Sequence, residues 1–251
     1  MKQLKQLKRI SLNDGLWRVY AESEEAFYQG DFYPSVTTIL GLLADDAFKK
    51  TMISMNERQF NTMMDKSAEL GTRIHNKIAK DLLGTPEEPL DDEIPAMTKY
   101  LGLKKKHNLR ADRAEITVYS DQFGFAGTTD FLDEQNNILG EIKTGKYLIT
   151  AGWQACAYKY ALEEMGISRD LSVVGVHVHR NGKEASLFKY QHFESCFTAF
   201  LSALNCWRMM YYNKLKGMKW KHLNSCPVKQ ETRLKVIDQN NITEELLCGT
   251  K

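Results

Sequence analysis

Residues 127–158 read GTTDFLDEQNNILGEIKTGKYLITAGWQACAY. The part ending at Asp133 has the aromatic and Thr content of a strand, Ile138 to Lys143 is a second apolar run, and Glu134-Gln-Asn-Asn137 between them carries turn chemistry. The reading is a β-hairpin, Gly124 to Asp133 against Ile138 to Lys143. With Gln135 and Asn136 as the turn pair, Asp130 lies opposite Glu141, and the two-residue period of a strand puts Lys143 on the same face as Glu141. A helix from Thr150 to Met165 follows directly, and Gln154 and Tyr158, one turn apart, share a face of it.

Two carboxylates side by side repel each other, and each loses hydration when buried. A divalent cation between them removes both penalties. All-oxygen ligation suits a hard ion, Mg²⁺ or Mn²⁺, which keeps several waters and completes its shell with phosphate oxygens. Lys143, one strand step from such an ion, is placed to orient or deprotonate a water, or to stabilise charge on a phosphorane-like transition state. The competing reading is a solvated hairpin face tied by cross-strand ion pairing, which alternating charge on an exposed strand also fits. What separates the two is the order of features: GxxD, a turn, ExKTG, then a helix opening with QxxxY.

That order resembles the PD-(D/E)xK nuclease superfamily, in its RecB-like branch, which includes phage exonucleases and the mitochondrial genome maintenance exonuclease. Asp130 in GTTD is similar to the branch's second-strand aspartate, Glu141-Ile-Lys143-Thr-Gly to its ExKTG signature, and Gln154-xxx-Tyr158 to its QxxxY motif. Upstream, Gly71-Thr-Arg-Ile-His75 resembles a GxxxH segment whose histidine is a further metal ligand, and Tyr33-Pro-Ser-Val-Thr-Thr-Ile-Leu40 resembles a PSVT segment. The resemblance spans Tyr33 to Tyr190. It implies a restriction-endonuclease-like α/β core: a central mixed sheet flanked by helices, with an N-terminal helical elaboration.

It also implies a metal set of Asp130, Glu141, the Ile142 carbonyl and His75, with Lys143 assisting the water. Gln154 and Tyr158 would organise the site and contact DNA. His75 lies beside an apolar stripe, Leu70, Ile74, Ile78 and Leu82, at helical spacing, so it also fits a structural histidine. Trp153, Ala157, Tyr160 and Ala161 would likewise allow Tyr158 to be a plain core aromatic. Ser35, Thr37 and Thr38 offer hydroxyls and a helix start to a phosphate, or Ser35 is simply an N-cap. Glu115 is either an outer member of the site or a partner for Arg113. Lys146 is either a phosphate contact or a lysine at the hairpin exit.

The chain has 251 residues, 43% of them hydrophobic, enough for one nuclease domain. Residues 1–110 read as the mainly helical elaboration, with two helices between Asp45 and Leu83 broken near Gly71; residues 111–217 read as the catalytic core, and 218–251 as a basic tail. Ile94 to His107 reads as a helix. Glu115 to Tyr119 opens the sheet, Ser172 to His179 and Ala185 to Gln191 close it, and His192 to Lys216 is the last long helix. Met1 to Arg9 reads as a fraying end, Leu16 to Ala21 as an early strand, and Thr232 to Asp238 as a candidate edge strand.

A formal net charge of +2 excludes a strongly basic coat protein, so nucleic-acid contact must come from local patches. One candidate is Arg208 to Lys229, basic without acids and interleaved with Tyr211, Tyr212 and Trp220. Five cysteines, odd in number and without CxxC, point to reduced cytoplasmic thiols, and their spacing predicts no iron-sulfur cluster. No membrane span is expected. The expected activity is metal-dependent hydrolysis of DNA, and the resemblance implies that it is an exonuclease on single-stranded or end-opened substrate; a restriction-type endonuclease and a non-cleaving recombination accessory are the alternatives. Without a GxxxxGK[ST] motif, unwinding falls to a partner, whether helicase, recombinase or single-strand-binding protein.

Overall fold

A computed structural model of the chain describes residues 4–12, 17–43, 57–145, 149–167 and 170–223. In chain order the elements are β1 (Lys8–Ser11), β2 (Arg18–Ala21), α1 (Glu24–Tyr28), β3 (Tyr33–Pro34) and α2 (Val36–Leu40). Then come α3 (Glu57–Leu82), whose side chains are described from Lys66 onward, α4 (Ile94–His107), β4 (Arg113–Ser120), β5 (Phe125–Asp133) and β6 (Ile138–Lys143). The described chain closes with α5 (Thr150–Glu164), β7 (Ser172–His177), β8 (Ser186–Tyr190), α6 (Phe193–Met210) and α7 (Tyr212–Gly217).

The architecture is α/β, a five-stranded mixed sheet in the order β4-β5-β6-β7-β8 with helices on both faces. All neighbours are antiparallel except β6 and β7, which α5 connects in parallel. The β5–β6 turn forms where its residues favour one: Asn137 takes φ of 53°, and the Asp133 carboxylate accepts from the Asn136 backbone and side chain. Its register, Phe131 against Gly140 and Leu132 against Leu139, is the one expected from the turn pair.

The two sheet faces bury different residues, as the period of two requires. Leu132, Leu139 and Val173 pack against α5, whose small residues Ala155, Ala157 and Ala161 let the helix sit close to the sheet, with α6 outside it. Phe131, Ile142, Val174 and Val176 pack on the opposite side against Ile74, Ile78 and Leu82 of α3 and Met97 and Tyr100 of α4. Each such fully buried aliphatic contributes about 1.5–3 kcal/mol relative to exposure.

Four expectations are corrected. Helix α3 runs through Gly71 without a break, because the glycine lies against the chain after β6: a Cβ there would stand 2.9 Å from Thr144 Oγ1. Of the end expected to fray, residues 1–3 lie outside the described residues, and Lys8 and Arg9 pair with Ala21 and Tyr20 in an antiparallel sheet β1-β2-β3, so residues 1–110 hold strands as well as helices. His192 to Lys216 is two helices, interrupted at Tyr211. Two members of the basic-aromatic patch are internal: Arg208 is 3% exposed, packs over Trp220 and donates to the Phe123 carbonyl, while Trp220 is buried and donates to the Phe32 carbonyl at 2.8 Å; Lys214, Lys216, Lys219 and Lys221 are exposed. Residues 224–251, including the expected edge strand, lie outside the described residues, as does Lys146.

The small sheet leans on the large one through a parallel bridge between Ser35 and Ala126, and on the end of α6 through Trp17, which meets Trp207 and Tyr211.

Candidate active site

The strands part where the acids sit. β5 and β6 are paired up to Phe131–Gly140, and the next step of that register would be Asp130–Glu141. There the Asp130 carboxylate replaces backbone pairing, Oδ2 accepting from the Ile142 N–H at 2.5 Å. On the other edge of β5, the β4 register runs Ala114–Phe131 and Ile116–Thr129 but leaves out Glu115–Asp130. Glu115 sits at φ of 51°, a conformation that strains any residue with a side chain, and unpaired, strained backbone of this kind concentrates at functional sites.

This local opening brings side chains from five elements together, β4, β5, β6, α3 and α5. From α3, His75 Nε2 lies 3.0 Å from Asp130 Oδ1, and its Nδ1 lies 3.5 Å from Glu115 Oε1. From β6, Lys143 Nζ donates to Glu141 Oε1 at 2.6 Å. From α5, Gln154 accepts from Lys143 at 3.0 Å and donates to Glu141 Oε1 at 2.5 Å and to the Tyr158 hydroxyl at 3.1 Å. Tyr158 is itself seated on β5, because Gly127 leaves its ring the space a Cβ would take. A chain of contacts thus runs His75, Asp130, Ile142, and beside it Tyr158, Gln154, Glu141, Lys143.

The electrostatics are those of an under-compensated acidic site. Glu141 is 2% exposed, and burial together with the Asp130 charge pushes its carboxyl up to about 8. Its Oε1 accepts two bonds, whereas Oε2 is buried without a hydrogen-bond partner. Burial also raises the Glu115 carboxyl. Burial opposes charge on His75, but the hydrogen bond and charge of Asp130 outweigh it and lift the ring to about 9. Lys143 follows the same pattern: desolvation favours its neutral form, and the charges of Glu141 and Asp130 override this and hold it cationic. The protein's own cations thus crowd round carboxylates that have more acceptor capacity than donors to meet it.

Ligand atoms of His75, Glu115 and Asp130 lie within 4.8 Å of one another, a spacing one metal ion can span. Oxygen donors with a single imidazole suit Mg²⁺ or Mn²⁺. Glu141 is not in that group; its buried oxygen without a partner is an acceptor that a proton, a donor or a cation would satisfy.

The residues singled out in the sequence therefore divide. Asp130, Glu141, Lys143, Gln154, Tyr158 and His75 are connected by direct contacts, and Ile142 joins them through its N–H. Glu115 stands beside His75 and does not pair with Arg113, whose partner is Glu134. Ser35 is buried; as N-cap of α2 its hydroxyl accepts from the Thr38 N–H and meets the hydroxyls of Thr37 and Thr38, and α2 has only five residues. Both Ser35 and Thr37 still line the cleft of about 760 Å³ into which the carboxylates open. Two cleft residues that composition did not single out are Arg9 and Arg18, on β1 and β2. Their strands are four residues each, too short for an alternation signal.

No protein-family model matches the chain, and no curated protein matches it.

Proposed function

We propose that this chain is a metal-dependent deoxyribonuclease with a PD-(D/E)xK core, hydrolysing phosphodiester bonds as an exonuclease on single-stranded or end-opened DNA. The observation that carries the proposal is Glu141. It is a buried carboxylate with one oxygen lacking a partner, level with Asp130 across the hairpin and 2.6 Å from Lys143, at the floor of an open cleft. A binding module has no need to hold a lysine against a buried acid. The mixed sheet, with Asp130 on its second strand, Glu141 and Lys143 on its third and Gln154 and Tyr158 on the crossover helix, supports the RecB-like reading.

Asp130, Glu141, His75 and, at the edge, Glu115 would hold Mg²⁺ or Mn²⁺. When bound, such an ion supplies Lewis acidity toward a phosphate oxygen and makes a coordinated water more acidic. The chain's own residues do the rest. Lys143, cationic in this setting, orients the water and stabilises the added charge as a P–O bond to water forms and the bond to the departing deoxyribose oxygen breaks. Gln154 fixes both Lys143 and Glu141 at once, so their relative position does not depend on the bound strand. Tyr158 holds Gln154 from the wall of the cleft, its hydroxyl accepting from the amide.

The test is incubation of the protein with end-labelled single-stranded, duplex and circular DNA in Mg²⁺, Mn²⁺ or EDTA. Loss of linear DNA that requires metal and falls by about 10³-fold in Lys143→Ala supports the reading. Cutting of circles would instead mark an endonuclease. Metal-independent binding with no cleavage would leave only a nucleic-acid-binding module.

A further inference from the structure

The carboxylates occupy one wall of the cleft, and the wall contributed by the small N-terminal sheet is basic. In the β1–β2 register Arg9 faces Tyr20 and Ser11 faces Arg18. The alternation of a strand puts Arg9, Ser11, Arg18 and Tyr20 on one face, while Val19 and Ala21, on the other, are fully buried in the core. The basic face looks into the cleft: Arg9, Arg18 and Tyr20 all line it, and the Tyr20 hydroxyl lies 2.9 Å from Thr128 Oγ1, two residues before Asp130. Arg9 stands opposite Tyr20, the residue of this face whose hydroxyl reaches the strand that carries Asp130.

Both arginines are exposed, and among the described residues neither guanidinium has a carboxylate within ion-pair distance. By contrast Arg180, also at the cleft, is held by the carbonyl and hydroxyl of Ser67. Diagonal neighbours on an antiparallel pair stand about 7–8 Å apart, so two long side chains from Arg9 and Arg18 reach adjacent phosphates of one backbone. Planar guanidinium groups grip phosphate through paired donors.

We propose that Arg9 and Arg18 form a phosphate rail that holds a single nucleic-acid strand alongside the carboxylates, Arg9 gripping the phosphate nearer the reacting bond and Arg18 the next. The rail rests on the nuclease reading for what happens to the strand, but its binding role is independent of cleavage.

It is tested by fluorescence polarisation of fluorescein-labelled oligothymidylate in EDTA, titrated with salt. Arg9→Gln/Arg18→Gln weakens binding about tenfold, and the slope of log affinity against log salt becomes shallower by about 1.4, two phosphates at about 0.7 each. Arg9→Lys/Arg18→Lys keeps the wild-type slope, since it keeps the charges. With Mg²⁺ or Mn²⁺ present, the glutamine pair's loss in kcat/KM is carried mainly by KM. Unchanged affinity and slope in the glutamine pair, a lysine pair as defective as the glutamine pair, or a wild-type protein that does not bind the oligonucleotide would each overturn the rail. Wild-type binding that depends on the arginines without any metal-dependent hydrolysis would uphold the rail and remove the nuclease reading; hydrolysis with arginine-independent binding would do the reverse.

Discussion

At the scale of single residues, Glu141 concentrates the energetics of the site. Its carboxyl, raised in the fold to about 8, keeps a proton there that the unfolded chain has already released. The metal-free fold therefore binds more protons than the unfolded chain between the ordinary carboxyl range and about pH 8, and that part of its stability declines as pH rises through this window. Glu141→Gln removes the titration but keeps an acceptor for Lys143 and Gln154. In EDTA, the stability of Glu141→Gln relative to wild type should grow between pH 5 and pH 8, by a few kcal/mol at most, as read from paired urea melts. A gap independent of pH would refute the raised carboxyl. Adding Mn²⁺ should stabilise the wild-type protein at pH 8 and the glutamine variant less, since it keeps the other ligands but loses one, as expected for a ligand that binds only the folded state.

Among the elements, the β5–β6 hairpin was the most legible, because a polar four-residue turn between two apolar runs fixes register, and register fixes which side chains share a face. The same logic left Glu115 open between the site and Arg113: its place beside His75 depends on a positive φ, which no pattern of side chains announces. Gly71 was misread for the opposite reason. Statistics count it as a helix breaker, whereas its role is to let α3 approach Thr144 and so deliver His75 to Asp130. Arg208 and Trp220 looked like a surface binding patch, and their burial depends on partners far away in sequence, Phe123 and Phe32. The Gly71 account makes a prediction. Alanine at a helix interior is favoured over glycine by about 1 kcal/mol, but Gly71→Ala should lower activity by displacing α3. Gly71→Ala/Thr144→Ala should recover most of that activity and exceed the wild type in thermal stability, and a double-mutant cycle with no coupling would dismiss the contact.

For the molecule as a whole, the decisive contacts join distant stretches. Trp220 packs against Phe32 and Trp207 and donates to a carbonyl 188 positions away. Trp220→Ala should cost about 3–5 kcal/mol and lower Tm by roughly 10 °C. Because the small sheet rests on this tryptophan, the variant should also bind oligothymidylate more weakly at temperatures well below its Tm, which the polarisation assay would register. The closure has a consequence for biosynthesis. Trp17 and Phe32 leave the ribosome early and find their aromatic neighbours only after Trp207 and Trp220 have been made, roughly ten to forty seconds later at ordinary translation speeds. Until then the small sheet lacks the aromatic support of α6 and the chain after it, so Arg9 and Arg18, although made first, are not yet seated beside Asp130 and Glu141.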